Sequence, residues 1–431
     1  MLGVIRNAAA LLFGMFLLLV GNGLHGTLLG VRGAIEGFDA ATMSIITTCY
    51  FIGFLFGSRA TPYLIRRVGH VRVFAALASF ISAGFILFPA APDPIAWSAI
   101  RLMVGFCFSG VYVVAESWLN NAASNETRGQ TLSLYMIVQF AGLIAAQGIL
   151  NFADAAGYTL FIIISVLVSI SFAPILLSVS PAPYAEATKP MSLRQLYGIS
   201  PFGCVSAIAL GAIFSAMFGM GAVYGTERGL SVADISLFVA LIFAGGLLLQ
   251  FPIGWLSDRM DRRRLITVIF FLGALTCLVG VTMADGRLVL MTVAFLIGAF
   301  ANPLYSLVIA YTNDFIELED MAAAASGLVF LNGLGAIGGP VAVGWLMETF
   351  SASAYFAFLG TAFALMALYG LYRMTRRPAP SVAETSSYPP VLASSSPYAV
   401  EAAQEVAIEM AREAAEGEEE REVSQTQPLV S

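Results

Sequence analysis

Charge is what this sequence has least of. Asp, Glu, Lys and Arg make up 11% of its 431 residues, against roughly 25% in a soluble protein whose surface faces water. A chain so poor in charge, and 58% hydrophobic, cannot wrap a large domain in a water-facing surface. Histidine is scarcer still, with two residues in the chain. The four cysteines, Cys49, Cys107, Cys204 and Cys277, each lie inside an apolar run with no close partner and no neighbouring His. That spacing excludes the usual metal frameworks and leaves them as small hydrophobes. No basic stripe of the kind a nucleic-acid surface needs is present. Inside the apolar runs there are no paired carboxylates, no nucleophile with a base and no metal cluster, so the chain reads as neither an enzyme nor a cofactor protein.

What the sequence has in quantity is long apolar runs. They fall at 8–30, 42–63, 72–91, 94–120, 128–152, 157–178, 202–225, 233–256, 264–284, 287–312, 323–348 and 352–374. A hydrocarbon core about 30 Å thick takes roughly 20 apolar residues per helical crossing, so the reading is an all-α membrane protein with twelve transmembrane helices. The first run is too long for a signal-peptide core and lacks a small-residue cleavage site, which keeps it as a mature helix. Lys and Arg collect in cytoplasmic loops during insertion. One alternating set of loops holds fourteen of them, from Arg6 to Arg377, and the other only Arg32, Arg228 and Arg287. Both termini are therefore expected in the cytoplasm, with the chain in a bacterial inner membrane as a monomer.

The two halves of the chain repeat one another. Gly37-Phe38-Asp39-Ala40-Ala41-Thr42-Met43-Ser44 recurs 192 positions later as Gly229-Leu230-Ser231-Val232-Ala233-Asp234-Ile235-Ser236, and Gly53 falls on Gly245 at the same offset. One further residue of offset pairs Gly105 with Gly298, Tyr112 with Tyr305 and Asn120 with Asn313. A nearly constant offset across four spans points to two six-helix pseudo-symmetric halves, 1–180 and 201–374. Between them, 181–200 is Pro-bearing and reads as a cytoplasmic linker that lets the halves rock. Residues 1–374 carry 17 basic and 17 acidic residues, so the net charge of -6 comes from the tail, with ten acids and four Arg from 375 to 431. That tail is Ser/Pro-rich, then Glu/Ala-rich with a helical pattern near 399–421, and reads as disordered or as a loose surface helix.

The loop after the eighth run reads Gly254-Trp255-Leu256-Ser257-Asp258-Arg259-Met260-Asp261-Arg262-Arg263-Arg264. It resembles the loop signature of the major facilitator superfamily of transporters. The equivalent first-half loop, Pro62 to His70, keeps Arg67-Val68-Gly69 but has Arg66 where the family usually has Asp. Arg101 followed by Gly105 and Gly110 resembles the family's fourth-helix signature. Tyr112-Val113-Val114-Ala115-Glu116-Ser117, with Gln250-Phe251-Pro252-Ile253-Gly254, is similar to a bacterial branch of mostly unassigned substrate. The resemblance covers residues 8–375. It implies secondary transport by alternating access, a solute bound near the midplane between halves, and helices one, four, seven and ten lining its path. It also makes Asp258, Arg259, Gly254 and Arg67 gating residues.

Arg101 lies about a turn and a half into its helix, where an unpaired charge costs at least ~2.5 to 3.5 kcal/mol. It is either a substrate or coupling residue, or a packing Arg bonded to carbonyls of the first helix. Glu116 stands 15 positions on, roughly 22 Å along the axis at 1.5 Å per residue, and projects within about 60° of the same face, with Gly105, Phe108 and Tyr112. Two readings stand for it: a proton carrier, or a gate acid paired with Arg67 or Arg128. Asn22 and His25 share a face of the first helix, where His25 is either a proton carrier or a bonded structural residue. Tyr224, Asn302, Tyr305 and Asn313 are the polar candidates of helices seven and ten, with Gln139 and Asn332 in helices five and eleven. Asp314, Glu317, Glu319 and Asp320 form either a solvated turn or a partner for the Arg262 to Arg264 cluster. Few intramembrane charges beside 32 Phe and 15 Tyr favour a neutral, zwitterionic or aromatic organic solute, with protons as coupling ion. The rival expectation is a membrane sensor that binds a ligand on the same fold without moving it.

Overall fold

The computed structural model describes residues 2–122, 125–173, 191–317 and 320–376, together with Val391, Val400, Ala403 and Gln404. Its first half holds α1 (Leu2–Ile35), α2 (Ala40–Val68), α3 (His70–Ala90), α4 (Pro94–Ala122), α5 (Asn125–Ile149) and α6 (Thr159–Ser171). Its second holds α7 (Pro201–Glu227), α8 (Val232–Ser257), α9 (Arg262–Met283), α10 (Arg287–Asn313), α11 (Met321–Thr349) and α12 (Ala354–Met374). Among the described residues, eleven of these are long and apolar enough to cross a membrane, α6 being shorter. In lipid a helix satisfies its own backbone groups, which is why the long apolar runs take this form.

Several boundaries differ from the sequence reading. The expected 157–178 span is described as a helix only to Ser171, and residues 174–180 lie outside the described part. The fifth span ends at Ile149 and closes in a 3-10 turn, Leu150–Phe152. The connecting segment carries a short helix, Leu193–Ile199. Its start is set by a capping box, in which Ser192 accepts from the Gln195 N–H and the Gln195 side chain accepts from the Ser192 N–H.

The internal repeat is visible bond by bond. In the first half Phe38 N–H donates to Gly33 O and Gly37 N–H to Ala34 O, at 2.9 and 3.1 Å. In the second, Leu230 N–H donates to Gly225 O and Gly229 N–H to Thr226 O, at 3.0 and 2.9 Å. Gly37 and Gly229 take φ of 80° and 68°, the left-handed region that a Cβ disfavours. Asp39 then caps α2 by accepting from Thr42 N–H, and Ser231 caps α8 by accepting from Asp234 N–H. The Thr42 amide holds the Asp39 carboxyl below its ordinary range. The glycines repeat as well. A Cβ at Gly53 or Gly105 would collide with the backbone of α4 or α2, and one at Gly245 or Gly298 with that of α10 or α8. Close crossing through small residues replaces the hydrophobic drive that lipid does not supply.

The halves meet through α2 with α11, α5 with α8, and α1 with α7. These contacts gather at the end of the bundle away from the chain termini. There Thr48 Oγ1 donates to Ile337 O at 3.4 Å, Asn151 Nδ2 to Ser236 Oγ at 3.1 Å, and Gly344 sits against Ser44 and the Ala40 carbonyl. Apart from these contacts, α4 packs chiefly on α1, α2 and α3, and α10 on α7, α8, α9 and α11, each within its own half.

Val391, Val400, Ala403 and Gln404 are buried, and the first three belong to the hydrophobic core. The rest of the tail, expected to be disordered or a loose surface helix, lies outside the described residues.

Valine at Gly105 or Gly298 is expected to destabilise the protein by about 1–3 kcal/mol or more through overpacking. The two should act alike, since each crossing is the other's counterpart. Alanine at Gly26, where a Cβ would meet nothing within 4 Å, should leave stability unchanged. Thermal melting of the detergent-purified variants measures all three.

Candidate functional site

Midway along the bundle a cavity of ≈ 220 Å³ opens between the halves. The first half contributes Asn22, Gly26 and Thr27 from α1, Tyr50, Phe51 and Phe54 from α2, Arg101 and Tyr112 from α4, and Phe140 and Leu143 from α5. The second contributes Gly211, Phe214, Ser215 and Phe218 from α7, Val239 and Phe243 from α8, Asn302 from α10, and Asn332 and Gly333 from α11. The path is thus walled by eight helices, α1, α2, α4, α5, α7, α8, α10 and α11, and not by the expected four alone.

On the first-half wall the polar groups are chained together. Asn22 Nδ2 donates to the Tyr112 hydroxyl at 3.2 Å. Arg101 holds its guanidinium carbon 4.6 Å from the Tyr50 ring centre and donates from NH1 to His25 Nδ1 at 3.3 Å. Because a guanidinium only donates, Nδ1 must accept, which places the imidazole proton on Nε2. His25 itself is fully buried and packs against Phe85 and Phe88 at 4.4 and 4.9 Å. It stands behind the wall and reaches the cavity only through Arg101. The first-helix partner of Arg101 is therefore a side chain, where backbone carbonyls were one expectation.

On the second-half wall Phe214, Phe218 and Phe243 form a stack, with interplanar angles of 1° and 4°. Asn302 donates to Gly298 O at 2.8 Å, and Asn332 donates to Ala207 O at 3.2 Å.

Besides His25, the candidates Glu116, Tyr224 and Tyr305 lie away from the cavity wall. Glu116 is 2% exposed and accepts from the Tyr135 hydroxyl at 3.0 Å. Arg67 is exposed and makes no described ion pair, while the Arg128 side chain lies outside the described residues. The face shared by Arg101 and Glu116 is divided: Arg101 and Tyr112 reach the cavity, whereas Gly105 meets the α2 backbone at Tyr50. Tyr224 sits among Phe238, Tyr355 and Phe356, with centroids 4.9 Å from the last two, because the far end of α7 packs on α8 and α12 there. Tyr305 is fully buried beside the cavity level, its hydroxyl without a partner among the described residues.

Of the gating candidates, Gly254, Asp258 and Arg259 lie together at the termini end of α8, and no described contact brings Arg67 to them. Asp258 caps α8, donating its N–H to Gly254 O at 3.3 Å. Arg262 pairs with Asp314 at 2.7 Å and with Asp258 at 3.4 Å, and donates to Ser257 Oγ at 2.9 Å. This fastens the α8–α9 turn to the end of α10 within one half. Arg259 folds back on Trp255, 4.1 Å from its ring centre. Tyr50 and the phenylalanine stack were not singled out in the sequence. The α7 pair Phe214 and Phe218, spaced i, i+4, was the one available signal. Among the described residues no cluster of His, Cys, Asp or Glu could hold a metal.

The Arg262–Asp314 pair is buried on both sides, at 1% and 2% side-chain exposure, whereas Asp258 is 40% exposed. Asp314→Asn is therefore expected to lower stability by about 3–5 kcal/mol, as removal of one partner of a buried pair does, and Asp258→Asn by far less. Melting curves of the two variants side by side provide the check.

The family model described as Major Facilitator Superfamily matches residues 11–231 and 202–404. A protein of Escherichia fergusonii named "Uncharacterized MFS-type transporter YcaD" is 24% identical over 361 residues, spanning 83% of this chain and 93% of that one. Its namesake in Escherichia coli O45:K1 is 26% identical over 366 residues, with the same coverage. Among solved structures, the nucleoside transporter NupG in its D323A form superposes with a TM-score of 0.74 at 14% identity, over 85% of this chain and 99% of that one. A bacterial homolog of the human lysosomal transporter Spinster, inward-facing and unoccupied, gives 0.66 at 13% identity, over 94% and 98%.

Proposed function

Because the chain belongs to the major facilitator superfamily, we propose that it is a secondary active transporter which moves a small organic solute by alternating access with proton coupling. The observation that carries the reading is the cavity walled by both halves at mid-bundle, closed toward the far end where Thr48, Asn151 and Ser236 bond across the divide. Exchange of that closure for one at the termini end exposes the same cavity to the opposite side.

The termini end is taken as cytoplasmic, in a bacterial inner membrane, with the chain acting as a monomer. In the far loops all three basic residues are engaged with acids: Arg32 with Glu36 at 2.6 Å, Arg228 with Asp285 at 2.7 Å and Arg287 with Asp234 at 2.7 Å. Lys and Arg are far more numerous in the loops of the termini end, the side that the positive-inside bias favours as cytoplasmic.

Proton coupling rests on two buried groups that touch the path indirectly. A proton added to His25 Nδ1 removes the acceptor of Arg101 and sets a second cation 3.3 Å away, a repulsion that burial strengthens. The occupancy of His25 and the contacts Arg101 makes in the cavity are therefore linked. Glu116, held by Tyr135, stands on the same helix toward the termini end and supplies the cytoplasmic proton exchange.

Purified protein in proteoliposomes tests this. Arg101→Ala is expected to abolish both solute exchange and pH-driven accumulation. Glu116→Gln is expected to spare exchange and lose only accumulation against a gradient. Full pH-driven accumulation by Glu116→Gln would remove that residue from coupling, and solute binding without flux in the wild-type protein would favour the sensor reading.

A further inference from the structure

Resting on the transport reading, we propose that the transported solute is an organic anion: a carboxylate carried on a planar aromatic or heteroaromatic ring of one or two cycles. Arg101 is 6% exposed and its partners are His25 Nδ1 and the Tyr50 ring, neither of them an anion. Its Nε has no partner. It is the one charged residue on the described cavity wall, and no Asp or Glu stands beside it there. An uncompensated cation at that depth is costly, and a guanidinium fork matches a carboxylate with two parallel bonds. Across the cavity, Phe214, Phe218 and Phe243 present near-parallel rings, a slot that favours offset stacking with another flat ring. The ≈ 220 Å³ volume is below the roughly 300–1,000 Å³ of drug-sized sites, which restricts the solute to small ring systems. A molecule held by Arg101 at one end and by the stack at the other touches both halves at once.

The probes are matched pairs, 4-hydroxybenzoate and indole-3-carboxylate against their carboxamides, read by thermal shift of the wild-type protein in detergent. Binding is read without flux, so a failure of transport and a failure of this assignment are separate results. The carboxylates are expected to stabilise the wild type and to bind roughly tenfold or more tightly than the amides. Arg101→Gln should erase that preference, and Arg101→Lys should keep a reduced one. Phe218→Ala should weaken acid and amide together. Equal binding of acid and amide, no binding of either acid, or a preference that survives in Arg101→Gln overturns the proposal.

Discussion

Four glycines hold the two halves to one geometry. Gly53 and Gly105 let α2 and α4 touch backbone to backbone, and Gly245 and Gly298 do the same for α8 and α10. Lipid tails are as apolar as leucine, so helices in a bilayer associate by close packing and polar contacts and not by expulsion from water. These crossings set where α4 and α10 run, and with them the positions of Arg101 and Asn302 on opposite sides of the cavity. A shift in either crossing would rotate the polar wall away from the ring slot it faces.

From that fixed frame the chemistry of the site follows by exclusion. The first half brings a cation, an amide, hydroxyl groups and the rings of Tyr50, Phe51, Phe54, Tyr112 and Phe140 to the cavity, and the second brings the three stacked Phe rings, Ser215 and two amides. His25 stands behind the wall as the acceptor of Arg101 and packs there against Phe85 and Phe88. The ionisable groups that matter are thus layered: Arg101 at the surface of the cavity, His25 one bond behind it, and Glu116 beyond Tyr112 on the same helix. A proton and a solute need not share a binding atom for one to alter the affinity of the other.

The repeat, the helical crossings and the Arg101 candidate were legible in the sequence because each is a property of one helix or of a fixed offset. Gly37, Asp39, Gly53 and Gly105 recur in register at Gly229, Ser231, Gly245 and Gly298, and a pattern that recurs can be read without coordinates. The pairing of Arg101 with His25 was not legible, since it depends on the rotation of α4 against α1, which spacing along either helix does not fix. Tyr224 shows the opposite failure. It lies on a helix expected to line the path, yet near the far end, where α8 and α12 close around it. Depth along a helix decided its place, and polarity did not. The buried tail residues escaped notice because a Glu- and Ser-rich composition averages over the few apolar positions that dock.

The two halves are equal in helices but unequal at the termini end. In the second half the α8–α9 turn is tied to α10 by Arg262 between Asp258 and Asp314, and the C-terminal residues bond to the same α10. In the first half the corresponding turn carries Arg66 and Arg67 in place of an acid, and both are exposed. A buried ion pair with excellent geometry resists rearrangement, because separating it leaves a charge without a partner. The first-half turn is tied to its own α4 by a contact of a different kind, His70 Nε2 with Ser117 Oγ at 3.3 Å.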